Sequence, residues 1–136
     1  MPGELTEQEM DLLRQSFEWA RSGDTARMTD LLDLGAPPNL TNERGDTLLT
    51  LAAYHCHLDM VRLLLDRGAD VERVNDNGQT ALGAAVFRRA ADMVSLLLQA
   101  GADADTGPRS ARTVARFFDL PDMEALLPAT SDESGR

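Results

Sequence analysis

Leu63-Leu64-Leu65-Asp66-Arg67-Gly68-Ala69-Asp70 returns as Leu96-Leu97-Leu98-Gln99-Ala100-Gly101-Ala102-Asp103, 33 residues further on. One period before Gly68 stands Gly35, followed by Ala36 and preceded by Leu31-Leu32. A fixed period of this length marks a stack of supersecondary units, none of which can bury its apolar face without a neighbour. Such a chain is first of all a built surface.

Aligning on the glycine defines the unit. Thr47-Leu48-Leu49-Thr50-Leu51-Ala52-Ala53 and Thr80-Ala81-Leu82-Gly83-Ala84-Ala85-Val86 read as short helices of small residues. A more apolar helix follows each, with Met60, Val61, Leu63, Leu64 and Leu65 in one unit and Met93, Val94, Leu96, Leu97 and Leu98 in the next. The i, i+3, i+4 spacing is that of a buried helical face. Asn42-Glu43-Arg44-Gly45-Asp46 and Asn75-Asp76-Asn77-Gly78-Gln79 lie between units, polar and glycine-bearing, and therefore read as turns.

This pattern resembles the ankyrin repeat, whose 33-residue unit is a β-turn followed by two helices with a Thr-Pro-Leu-His-x-Ala signature. Both inner units keep the Thr, the Leu and the Ala, while Leu48 and Ala81 stand for the Pro, and Thr50 and Gly83 for the His. The glycine between the family's helices survives as Gly23, with Cys56, Arg89 and Asp119 at the matching places. The resemblance implies an all-α solenoid over residues 1–127, in units of about 6–40, 41–73, 74–104 and 105–127, with a disordered tail over 128–136.

The outer units read as caps. Thr6-Glu7-Gln8-Glu9 is a capping box, with Leu5 and Met10 placed as a hydrophobic staple. Met10, Leu13, Phe17 and Ala20 form the inward stripe of the helix that follows, and Trp19 occupies the position of Ala52 and Ala85. In the last unit Ser110–Ala115 aligns with Thr80–Ala85 after a turn shortened by 3 residues. Arg112 and Arg116 there replace residues buried in the inner units, so both are expected to face water. Pro121 opens a short helix running through Met123 to Leu127.

Composition bounds the function. The 136 residues are 43% hydrophobic and 26% charged, enough for one domain with a continuous core, and only 4% aromatic. A lone cysteine, Cys56, rules out an intrachain disulfide, and a soluble protein of the cytoplasm is expected, with no membrane association. The net charge of −10 repels phosphate backbones and argues against nucleic acid, while the carboxylates of the first helix favour a partner with a basic surface. Lysine and isoleucine are both missing, the mark of a GC-rich, bacterial genome.

Catalytic and metal chemistry find little support. There is no phosphate-binding loop, no HExxH and no GxSxG. Tyr54-His55-Cys56-His57 lacks ligand spacing, and Asn75-Asp76-Asn77-Gly78 lacks the first and last acidic ligands of a calcium loop. Neither enzyme, metal nor cofactor is expected. Arg109, Arg112 and Arg116 share one helical face that could attract an acidic peptide or phosphate, although capping already accounts for two of them.

The stronger signal is a column of aromatics at the ends of the first helices, Tyr54, Phe87 and Phe117. By the resemblance, this position, its successor and the turn tips face the groove that receives partners. The implied binding residues are Tyr54, His55, Phe87, Arg88 and Phe117, with Glu43, Arg44, Asp46, Asp76, Asn77 and Gln79 from the turns. Aromatic and arginine anchors carry most of the energy at interfaces. The alternative for Phe117 or Phe118 is packing under the short last turn. The expected function is a monomeric, non-catalytic module that binds a companion protein to regulate, inhibit or stabilise it. The second reading is a structural subunit of a larger complex.

Overall fold

The computed structural model describes residues 5–129, and among these the chain forms eight helices and only isolated β-bridges. They alternate in two rows. The inner row is α1 (Glu7–Ser22), α3 (Leu48–Tyr54), α5 (Ala81–Phe87) and α7 (Ala111–Phe117). The outer row is α2 (Thr25–Asp33), α4 (Leu58–Asp66), α6 (Ala91–Gln99) and α8 (Pro121–Glu124). Each inner helix packs on the next and on its own outer helix, which is the solenoid geometry the period requires.

Small inner helices let the stack close tightly. Ala52, Ala53, Ala85 and Ala111 are fully buried between Leu48, Leu49, Leu82 and Val86, and the outer helices seal the core with Met60, Leu64, Met93 and Leu97. The threonine of the signature proves to be the N-cap. Thr47, Thr80 and Ser110 accept hydrogen bonds from the backbone N–H groups of Thr50 (3.0 Å), Gly83 (3.0 Å) and Thr113 (3.2 Å). Between paired helices Gly23, Cys56, Arg89 and Asp119 all take positive φ, at 77°, 63°, 56° and 53°. Three non-glycine residues thus hold the left-handed turn that glycine makes without strain.

The capping box at Thr6 and Glu9 is present, but its neighbours differ from expectation. Met10 and Leu5 are exposed, and only Ala20 of the expected stripe is fully buried. The reason is length: α1 has 16 residues against 7 in α3, so its first turns extend past any facing helix. Arg112 is the larger correction. It is buried rather than facing water, with its Nε 2.8 Å from Asp105 and a terminal nitrogen donating to the Pro128 carbonyl. The column Ser16, Leu49, Leu82 and Arg112 therefore ends in a polar side chain at both terminal units, and Ser16 donates to the Leu13 carbonyl. The last helix also ends sooner than expected, at Glu124. Of the tail, 130–136 lie outside the described residues.

Candidate functional site

The turns and the C-terminal ends of the inner helices enclose one groove of about 800 Å³. Its first wall is built from the turns. Asn42 Oδ1 accepts the backbone N–H groups of Arg44 and Asp46, and Asn75 Oδ1 those of Asn77 and Gln79, folding each polar stretch into a tight finger. The fingers are tied side by side: the Asp76 N–H donates to the Arg44 carbonyl at 3.0 Å, and Asn75 Nδ2 donates to Asp46 Oδ1 at 2.7 Å. In the shortened third turn the Arg109 N–H reaches the Gly78 carbonyl at 3.0 Å. A Cβ on Gly83 would lie 3.2 Å from the Arg109 carbonyl, so the small residue at that signature position admits the third turn.

The second wall is aromatic. The rings of Tyr54 and Phe87 stack with centroids 6.2 Å apart and planes 14° from parallel. Phe118 meets Phe87 edge-on at 5.2 Å, and Phe117 meets Phe118 at 4.9 Å. Exposures are 39% for Tyr54, 44% for Phe87, 49% for Phe118 and 78% for Phe117. None of the four is core. Arg88 lays its guanidinium over the Tyr54 ring, 5.2 Å from the centroid, a cation–π contact. Leu51, Ala84 and Val114 form the floor, one helical turn before the aromatics.

Eight of the eleven residues named from sequence line this groove: Tyr54, His55, Phe87, Phe117, Arg44, Asp46, Asn77 and Gln79. Arg88 sits beside it on Tyr54. Asp76 packs against Gly45, whose added Cβ would meet the Asp76 carboxylate at 2.7 Å, and Glu43 is exposed outside the lining. Asp46 and Gln79 both receive Asn75 Nδ2, so Asp46 ties the two fingers together and Gln79 closes its own. Sequence reasoning missed Arg21, which stands one period before Tyr54 and heads the aromatic column, and Asn75. The same spacing that revealed Tyr54 and Phe87 contained Arg21.

Nor do Arg109, Arg112 and Arg116 make one cationic face. Arg112 is buried against Asp105, Arg116 pairs with Glu124 at 2.7 Å, and only Arg109 reaches the groove. His57 donates from Nε2 to the Arg21 carbonyl at 2.7 Å and so ties α4 to the preceding unit. His55 lies in the groove, its basicity lowered by partial burial, then by the neighbouring His57, Arg88 and Arg21, with Glu18 opposing. Among the described residues the only carboxylate lining the groove is Asp46, so the other described carboxylates lie outside that lining. Among the described residues no cluster of three potential metal ligands occurs, and no helix is long and apolar enough to cross a membrane.

The model of the ankyrin-repeat family matches residues 17–107 as three copies of the repeat, and the chain belongs to that family. It is similar to an ankyrin repeat protein of Pseudomonas aeruginosa, with 48% identity over 60 residues. That match covers 44% of this chain and 35% of the relative. Ankyrin repeats generally mediate protein–protein interaction and are generally non-enzymatic.

Proposed function

We propose that the chain is a non-catalytic module that receives a companion protein in the groove between its fingers and its inner helices, and that it regulates that companion by occupying it. The observation carrying this reading is the column Tyr54, Phe87, Phe118 and Phe117, part-exposed side by side along one wall. A chain only 4% aromatic spends four of its six aromatic residues there. Apolar rings left half in water gain most when a partner covers them, and pre-stacked rings lose little freedom in the process. The polar ends of both terminal units support a monomer, because neither offers a bare apolar helix for stacking on a second copy.

The experiment is affinity capture from the native lysate, comparing the wild-type chain with the double variant Tyr54→Ala, Phe87→Ala. A companion retained by the wild type and lost by a variant that is still folded supports the groove. Equal capture by both places the interaction on another face.

A further inference from the structure

Nine of the twelve arginines among the described residues form ion pairs with carboxylates. The three without one are Arg44, Arg88 and Arg109. In a chain of 23 carboxylates and 13 arginines, an arginine with no acidic neighbour is the exception, and these three gather at one place. Arg44 comes from the first finger, Arg109 from the shortened third turn, and both line the groove. Arg88 lies over Tyr54 beside it. All three are exposed. Arg21 is the third arginine of the lining, shared with Glu18, whereas the one lining carboxylate among the described residues, Asp46, is engaged by Asn75.

Resting on the groove reading above, we infer that the occupant is an acidic segment of the companion protein, with carboxylates meeting Arg44, Arg88 and Arg109 and apolar side chains lying on Tyr54, Phe87 and Phe117. Guanidinium groups match carboxylates in planar, two-pronged geometry, and charge complementarity at an interface fixes register and speeds encounter. The net charge of −10 separates this occupant from a nucleic acid. A polyanion long enough to leave the groove would meet the surrounding carboxylates, while a short acidic stretch stays among the arginines.

The test is selection of a phage-displayed library of random linear peptides on the full chain, followed by affinity measurement on synthetic copies of the enriched sequences. Expected is enrichment of Asp and Glu beside aromatic or aliphatic residues. Binding should weaken at least about tenfold in Arg44→Gln, Arg109→Gln, as for a charge pair removed from an interface, and should weaken again in Tyr54→Ala, Phe87→Ala. Both double variants alter exposed or half-exposed residues, and melting curves by circular dichroism verify that they fold.

Enriched peptides that are basic or neutral, lost in the Tyr54, Phe87 variant but indifferent to the arginine variant, overturn the acidic occupant and leave the groove standing. Binding indifferent to both variants, or no enrichment at all, overturns the acidic occupant together with a groove that takes linear segments. Competition by oligothymidine as effective as by the peptide overturns the acidic segment in favour of a single-stranded nucleic acid.

Discussion

Tyr54 and Phe87 sit between surface and core, and their energetics follow from that position. As bare surface residues they would cost no more than about 0.5 kcal/mol on truncation. Their stacking at 6.2 Å raises the expected cost of either alanine variant to about 1 kcal/mol, the scale of an aromatic pair. Leu97 is fully buried between the helix rows, and Leu97→Ala should cost roughly 2–5 kcal/mol. Urea denaturation of the three variants gives the order, and a loss in Phe87→Ala equal to that in Leu97→Ala would make the aromatic wall part of the core. His55 supplies a second check. Its folded pKa is held below the ordinary 6.5, so between those two values the unfolded chain binds more protons. This residue's contribution to stability therefore falls as pH drops from 6.5 to the folded pKa and is constant below it. An NMR titration should place the His55 midpoint below 6.5, and His55→Gln should flatten the pH dependence of stability in that window.

At the scale of elements, the chain concentrates its strain in the turns between paired helices. Cys56, at φ 63°, occupies a left-handed position where a Cβ is unfavourable. Cys56→Gly should raise stability by about 0.5–1 kcal/mol by thermal or urea unfolding, since the thiol is exposed and its substitution empties no core space. No gain would mean that glycine's extra freedom in the unfolded chain offsets the relief. These turns also mark how far local sequence can be read. The period, the capping box at Thr6 and the finger glycines were legible because each is a short-range requirement of its own element. Asp46 and Gln79 were read as open to a partner, but both side chains accept from Asn75 Nδ2, Asp46 from the neighbouring finger and Gln79 within its own. A short polar side chain on a finger tip can bond sideways or outward, and only the spacing between fingers decides which.

At the scale of the molecule, charge divides between surfaces. Exposed pairs such as Arg62 with Asp59 and Arg73 with Asp70 contribute little stability, yet they remove most arginines from competition for an external anion. Total charge alone pointed to a basic companion. The acidic segment inferred above rests instead on the arginines of the groove, because a net charge of −10 says nothing about which arginines lack a carboxylate. Arg112 illustrates the same limit: an arginine in a core column reads as facing water until Asp105 and the Pro128 carbonyl are folded around it. The aromatic column was legible because stacking turns a sequence period directly into a line in space. The most direct measurement is the dissociation constant of the captured companion, by isothermal titration calorimetry, for Phe87→Ala and for Leu34→Ala. Leu34 is 79% exposed at the end of α2 and lies outside the groove lining, so it controls for loss of an apolar surface residue. Phe87→Ala should weaken binding by about 2 kcal/mol or more, as a hot spot does, with Leu34→Ala matching the wild type. Wild-type affinity in Phe87→Ala, or a larger loss in Leu34→Ala, would contradict a groove-centred interface.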